Sequence, residues 1–417
     1  MSILRFLSIP LMIASCTLGL VLWAFPEEVS TGRMLGIVLG WTGCGLLLAA
    51  LLLMLRETWL ARGFDGLERM YRWHHWVGMA AYVLLLAHPL VLAAAAWQES
   101  RLVAWQTLSP FSQGWPVWMG WLSLLFLMLG LAATFSTRIP YRTWRWLHIG
   151  LGVAVLLGLA HLILLGIDEP VLPILALAAL LLGWRVIRAD FGTAARPYVV
   201  RSVQSVAADV VEISLAPLGD PVAVTAGQFV LAAFFAGPRF RGCGEFHPFT
   251  VNAVEDGGHI RIAVKALGDC TRHIQSIKPG VTARVHGGFG EFLAHRPPMP
   301  QLWVAGGIGI TPFLAVLREG IVSQPTRLLY LYRSGTGAAF VQELQDRAGA
   351  DPRLSLQAME VDNAHADFEA LLPDAHELSH HECYLCGPPG MIAALMPALR
   401  HRGITPRHIH FENFGFR

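Results

Sequence analysis

The chain has 417 residues, room for about two or three domains. Apolar residues make up 54% and charged residues 14%, against roughly a quarter charged in ordinary globular chains, and the net charge is only +2. That balance excludes intrinsic disorder and a basic nucleic-acid binder, and six cysteines are too few for a disulfide-stapled secreted scaffold.

The average hides a division. Residues 1–190 hold 12 Arg, no Lys and 9 Asp or Glu, whereas residues 191–417 hold 19 Lys or Arg and 20 Asp or Glu. Thirteen of the 14 Trp lie before residue 190, and only Trp303 lies after it. The first part reads as membrane and the second as a pair of soluble domains.

Six apolar stretches approach the roughly 20 residues that a bilayer demands: Phe6–Phe25, Met34–Leu55, His74–Trp97, Trp115–Phe135, Trp146–Ile167 and the shorter Val171–Ile187. The first also admits a signal-peptide reading with Cys16 lipidated, but its apolar run is long for one and more spans follow. Ten arginines (Arg5, Arg56, Arg62, Arg69, Arg72, Arg138, Arg142, Arg145, Arg185 and Arg188) flank one side of these spans, and only Arg33 and Arg101 the other. The positive-inside rule then places the N-terminus and the soluble half in the cytoplasm. Trp73, Trp76, Trp97, Trp115, Trp144 and Trp146 sit near span ends, as interfacial anchors do. The outer loops Pro26–Arg33, Gln98–Gly114 and Asp168–Pro170 are short and carry neither His nor Cys.

Four histidines fall in two spans as pairs, His74 with His88 and His148 with His161. Ionisable groups in a bilayer are costly and mark function, and imidazole is an axial ligand of haem iron. Two helices with a His near either end hold two haems stacked across the membrane, since fourteen residues of helix rise roughly 21 Å. Fourteen steps of about 100° return His88 to nearly the same face as His74, but thirteen steps leave His161 about 140° from His148. A π-bulge or kink near Gly150, Gly152 or Gly158 supplies the missing rotation. His75 points about 100° away from His74, as an interfacial residue or a propionate partner. The bland alternative is that these His cap helix ends or bond between spans. A proton pathway is a further use of such residues, weakened by the lack of an intramembrane Asp, Glu or Lys.

Ala189–Pro197 reads as a link. Beyond it Tyr198–Arg201, Val210–Ser214, Gln228–Leu231, His259–Val264 and Val281–Val285 alternate as short strands of an antiparallel barrel. From Gln301 the strand-like Leu302–Ala305, Leu328–Tyr332 and Cys383–Cys386 mark a doubly wound α/β domain. Gly306-Gly307-Ile308-Gly309-Ile310-Thr311-Pro312 offers backbone amides to a pyrophosphate at a helix start, and Arg333 suits a ribose 2′-phosphate, hence NADPH over NADH. Cys383 and Cys386 have redox spacing, yet the strand context argues against a dithiol, and a metal site lacks two further ligands.

In this order the motifs resemble a bacterial member of the NADPH oxidase and ferric reductase family, over nearly the whole length. In that family the third span carries His pairs fourteen apart and the fifth thirteen apart, so the resemblance favours His74 over His75 and makes the awkward thirteen a family trait. The soluble half resembles the ferredoxin–NADP reductase fold. The resemblance assigns His247, Pro248, Phe249 and Thr250 to flavin and Lys265, Gly268 and Thr271 to its pyrophosphate turn. It assigns Gly306, Gly307, Gly309, Thr311, Pro312, Cys386, Gly387 and Pro388 to the nicotinamide site. Phe414, with Phe416 as a rival, matches the terminal aromatic that stacks on the flavin ring. Gly287-Gly288-Phe289-Gly290 departs mildly from the family's pattern, and no calcium-binding loop is visible.

The implied architecture is a membrane all-α six-helix dihaem domain over residues 1–190. An antiparallel β-barrel FAD domain over 197–297 and a doubly wound α/β NADPH domain over 298–417 follow. The implied activity passes electrons from cytoplasmic NADPH through FAD to two b-type haems, on His74 with His148 and on His88 with His161. The acceptor lies outside a bacterial inner membrane: O2 giving superoxide, or else a ferric or cupric chelate or a periplasmic protein. Phe414 and Cys386 are placed at the hydride step. The expected partners are a small acceptor and membrane lipid, with no nucleic acid and no regulatory subunit. A reading from a different class is a haem carrier or sensor with a vestigial reductase.

Overall fold

The computed structural model describes residues 3–23, 25, 31–136, 138–169, 171–237, 239–294, 296–320, 322–333, 338–361, 369–378 and 380–412. The chain forms two units, Met1–Phe191 and Gly192–Arg417.

The first unit is all helix: α1 Ile3–Trp23, α2 Thr31–Leu53, α3 Thr58–Gly63, α4 Leu67–Ala96, α5 Arg101–Leu108, α6 Trp115–Phe135, α7 Tyr141–Leu164 and α8 Val171–Arg185. Among the described residues five helices are long and apolar enough to cross a membrane: Gly32–Leu53, Leu67–Ala96, Trp115–Phe135, Thr143–Leu164 and Val171–Asp190. The first expected span is the apolar helix α1. Small residues let these helices approach closely without a hydrophobic driving force between them. A Cβ on Gly36 or Gly43 of α2 would lie 2.6 Å from Leu92 or Leu85 of α4, and one on Gly130 of α6 would lie 2.1 Å from Leu151 of α7.

Two helix expectations are corrected. The third span does not begin at His74. Gly66, at φ +103°, ends the preceding turn, and α4 runs from Leu67 through a charged first turn that hydropathy alone does not mark. The fifth contains no π-bulge: α7 is continuous α-helix, and the π-turn lies instead at Val186–Asp190, where α8 ends.

In the second unit β1 Arg196–Ala207, β2 Val210–Pro217, β3 Phe229–Phe234, β4 His247–Glu255, β5 His259–Lys265 and, after the short helix α9 Asp269–Ile274, β6 Thr282–Phe289 form a closed barrel. Its order is β1-β2-β5-β4-β3-β6, and every pairing is antiparallel. Tyr198, Ile213, Val230, Phe234, Val251 and Ile262 fill the interior. Pro197 lies inside β1 rather than in a link, at the strand's second residue, where a missing N–H is tolerated.

The rest is a parallel sheet. In chain order it comprises β7 Gln301–Gly306, α10 Thr311–Arg318, β8 Thr326–Tyr332, α11 Val341–Ala350, β9 Leu354–Glu360, α12 Ala375–Leu378, β10 Glu382–Cys386, α13 Pro389–His401 and β11 Ile409–Glu412. The strand order β11-β10-β7-β8-β9 runs outward both ways from the β7–β10 pair. Both central strands are buried on both faces, as a helix-covered parallel sheet requires.

Candidate functional sites

The histidines His74 and His88 of α4 are each oriented by α2. His74 Nδ1 lies 2.9 Å from the Ala50 carbonyl and His88 Nδ1 lies 2.7 Å from the Gly36 carbonyl. Those of α7 are oriented by α6: His161 Nδ1 lies 2.8 Å from the Pro116 carbonyl and His148 Nδ1 lies 3.3 Å from Thr134 Oγ1. A carbonyl only accepts, so each of the first three Nδ1 atoms carries the proton. Thr134 Oγ1 donates to the Gly130 carbonyl at 2.9 Å and so accepts from His148. All four imidazoles therefore keep the lone pair on Nε2, the state in which a metal-ligating His is held by its outer partner.

Two glycines make this possible. Gly40 stands one turn beyond Gly36 and Gly120 one turn beyond Pro116. A Cβ there would lie 3.0 Å from His88 Nδ1 or 3.1 Å from the His161 ring. Sequence reasoning missed both. The signal was there in retrospect, a glycine four residues after the carbonyl that the ring must reach.

The His74 and His148 rings meet in an edge arrangement, with centroids 5.9 Å apart and planes at 70°. An imidazole nitrogen sits about 2.0–2.1 Å from a bound metal, so two such bonds plus two ring radii need roughly 6 Å between centroids. The centroid separation of the pair matches that span. Trp144 stacks on His148 at 5.1 Å, fixing its plane. His75 is exposed and meets Trp76 and Phe135 edge-on, away from the pair.

The second site is the switch point of the sheet. Beyond the carboxyl ends of β7 and β10 the chain turns to opposite sides, which is where open α/β sheets bind ligands. The turns of Gly306–Gly309 and Cys386–Pro388 touch backbone to backbone. A Cβ on Gly309 would lie 2.2 Å from the Cys386 carbonyl oxygen, and one on Gly387 would lie 3.0 Å from Gly306 Cα. Gly307 takes φ +54° in a 3-10 turn over Gly307–Ile310. Thr311 Oγ1 donates to the Ile308 carbonyl at 2.9 Å, and Pro312 follows in the first turn of α10. Arg333 is exposed just past the end of β8.

Residues 39–159 match the family of ferric reductase-like transmembrane components, and residues 303–396 match the oxidoreductase NAD-binding domain. The chain joins a ferric reductase-like transmembrane domain to a pyridine-nucleotide reductase module. It is 34% identical over 167 residues, 38% of its length, to the heme-dependent oxidative N-demethylase beta subunit of Ectopseudomonas mendocina, of which it spans 51%. It is 25% identical over 181 residues, 40% of its length, to the ferredoxin–NAD(P)(+) reductase component of the Pseudomonas putida naphthalene 1,2-dioxygenase system, of which it spans 55%. The chain thus spans about half the length of these curated relatives. The solved flavohemoglobin of Malassezia yamatoensis, with bound FAD and heme, aligns at TM-score 0.50 and 17% identity over 93% of this chain and 99% of that one, a likeness of fold.

The expected flavin residues lie on β4, at the end of β5 and in the turn that opens α9. His247 Nε2 is buried without a hydrogen-bond partner, 3.8 Å from Glu245, and burial pulls its pKa below 6.5. Pro248 is half-buried, and Thr250 is buried opposite Phe229. Phe249 is turned into the barrel core, its ring 6.4 Å from Phe234, so its side chain packs the wall rather than facing outward. Thr271 Oγ1 accepts from the backbone N–H of Leu267 and of Gly268, both at 2.9 Å, which closes the turn before α9. Lys265 ends β5, paired with Asp209 at 3.4 Å, and its Nζ would lie 3.7 Å from a Cβ on Gly307. The barrel therefore brings a cation to the nucleotide turn. Phe414 and its rival Phe416 lie outside the described residues.

Cys386 is fully buried. It packs on one face of the sheet and Cys383 on the other, because three steps along a strand reverse the face. That geometry forbids a Cys383–Cys386 dithiol, and burial pushes the Cys383 thiol up to about 12.

Two features carried no motif in the sequence. Glu212 of β2 accepts from Asn252 of β4 at 2.9 Å and from Arg318 of α10 at 2.6 Å, while Arg318 makes a bidentate pair with Glu343 at 2.8 and 2.9 Å. This network fixes the helix that follows the glycine turn to two barrel strands. Cys243 and Cys270, 27 residues apart, form a disulfide.

Proposed function

We propose that the chain carries electrons from cytoplasmic NADPH through FAD and two b-type haems to molecular oxygen outside a bacterial inner membrane, releasing superoxide. The observation that carries this reading is the common state of the four intramembrane imidazoles, each with Nδ1 engaged and Nε2 left with its lone pair. The donor set fits haem: His74 and His148 would hold the inner group, His88 and His161 the outer. When bound, FAD supplies the passage from a hydride to single electrons and the haems supply a one-electron relay.

The chain's own residues set the order. The glycine turns let the loops after β7 and β10 meet backbone to backbone at the sheet's switch point, where a dinucleotide would bind, and the exposed Arg333 just past β8 would read a ribose 2′-phosphate. His247, Pro248 and Thr250 line the flavin strand, with Lys265 and the Gly268–Thr271 turn for the diphosphate. The expected topology, with arginines concentrated on one side, puts this module in the cytoplasm. Two imidazoles for each haem would leave an acceptor no place among the iron's ligands, which supports a small diffusing acceptor at the outer face. The match to ferric reductase-like components favours a ferric chelate as the second reading.

The test is NADPH oxidation by the purified full chain with added FAD, following the haem bands, under air with a superoxide trap and anaerobically with a ferric chelate. Superoxide at the rate of NADPH loss supports oxygen. Haems that oxygen barely reoxidises but ferric chelate does would move the assignment to the metal. Absence of any haem band would overturn the relay.

A further inference from the structure

We propose that Cys243 and Cys270 form a reversible thiol–disulfide site that controls how tightly the reductase module holds its flavin. The inference rests on the flavin reading above. The bridge joins the two segments to which that reading assigns the flavin. Cys243 lies four residues before His247, in the loop between β3 and β4. Cys270 lies inside α9, next to Thr271, whose hydroxyl closes the Leu267–Gly268 turn.

The setting suits exchange. Both cysteines are partly exposed at the edge of the barrel core, unlike Cys383 and Cys386, which are buried in the sheet. Arg239 and Arg241, both exposed, precede Cys243 by four and two residues, and nearby cations favour the thiolate that exchange needs. Beside the bridge Phe240 of the loop stacks on His273 of α9 at 4.5 Å and 13°. Its return to β3 is made by the Cys243 and Gly244 N–H groups on the Phe234 carbonyl, at 3.1 and 2.9 Å. The proposed cytoplasmic placement supplies the second argument. Glutathione and thioredoxin keep thiols reduced there, and a disulfide in that compartment is usually catalytic or redox-sensing rather than structural.

The step balances as ordinary exchange. A thiolate of a small dithiol attacks one sulfur, the Cys243–Cys270 bond breaks and a mixed disulfide forms. The second thiolate of the dithiol then closes its own ring and releases the remaining cysteine. The dithiol loses two electrons and two protons, and the two cysteine thiols gain them. With the bridge open, flavin binding must re-order the loop before His247. Fixing about one residue's backbone is equivalent to a roughly tenfold weaker dissociation constant for FAD.

The experiment uses the full chain in detergent, purified without reductant, before and after excess dithiothreitol. Peptide mapping after alkylation reports the cross-linked Cys243–Cys270 peptide, and equilibrium dialysis reports FAD binding. We expect the cross-link in the first state, its loss in the second, and FAD binding roughly tenfold weaker in the second. The double variant C243S/C270S should bind FAD like the reduced wild type and ignore dithiothreitol. Equal FAD affinity in both states of the wild type, with the cross-link present and then lost, would overturn the switch and leave a staple. A cross-link that does not form even with oxidised glutathione would overturn the pairing. No FAD binding in either state would overturn the flavin reading itself, a result distinct from the other two.

Discussion

Replacing Thr134 by Val isolates what an outer hydrogen bond does for a haem ligand. Valine keeps the shape of threonine and removes the oxygen that lies 3.3 Å from His148 Nδ1 and 2.9 Å from the Gly130 carbonyl. The carbonyl stays in its helix. His148 is left with a donor that has no acceptor, a penalty of about 1–3 kcal/mol if it stays buried. The ring escapes that penalty by moving its proton to Nε2, which disables it as a ligand. Losing such an outer partner costs roughly 10–100-fold in metal affinity. At 3.3 Å the bond is longer than usual, so we expect the lower end, about tenfold or ~1.4 kcal/mol. The assay is haem retention against a scavenging apoprotein, read as pyridine haemochrome per chain. Thr134→Val should shed one haem about tenfold faster than the wild type and keep the other, whose ligands bond to backbone carbonyls that no substitution deletes. Thr134→Ser, which keeps the oxygen, should behave like the wild type. Equal retention of both haems in Thr134→Val and the wild type would refute the argument.

Three further outcomes are expected. Gly40→Leu fills the space beside His88, where even a Cβ would lie 3.0 Å from Nδ1, and should remove the outer haem while the inner one stays, counted by redox titration. Gly309→Ala places a Cβ 2.2 Å from the Cys386 carbonyl oxygen and so parts the two nucleotide turns; a misplacement of about 1 Å costs on the order of 100-fold, so kcat/KM for NADPH with a dye acceptor should fall by that order with haem content unchanged. Burial raises the Glu343 carboxyl, but the Arg318 hydrogen bonds outweigh it and hold the pKa below 4.5. The stability this gives is complete above pH 4.5 and lost as pH falls through the lowered value, and thermal unfolding of Glu343→Gln should lack that loss.

Much of the fold was legible because it rests on periodicity. Alternation marked β1, β2, β3, β5 and β6, and short apolar runs ending in glycine turns marked β7 and β10. Strand β4 was read only as a motif, since His247 and Pro248 interrupt its pattern, and β11 has only four residues. The histidine pairs were legible as ionisable groups in apolar spans. Their orienting partners were not, because Ala50, Gly36 and Pro116 act through carbonyls that any residue supplies. The thirteen-residue spacing called for a π-bulge or a kink, and α7 contains no π-bulge. An ideal-helix angle ignores that His148 and His161 reach opposite ends of α6, at Thr134 and Pro116. Pairings across long stretches of chain, Glu212 with Arg318 and Cys243 with Cys270, left no local trace at all.

The central claim is electron passage from one face of a membrane to the other, and entrapped acceptor tests it most directly. The full chain is placed in sealed vesicles holding ferricytochrome c, with FAD and NADPH added outside. The account predicts reduction of the entrapped cytochrome, abolished by superoxide dismutase inside and by replacing His88 with Leu. Reduction confined to cytochrome added outside, with the entrapped pool untouched, would contradict it.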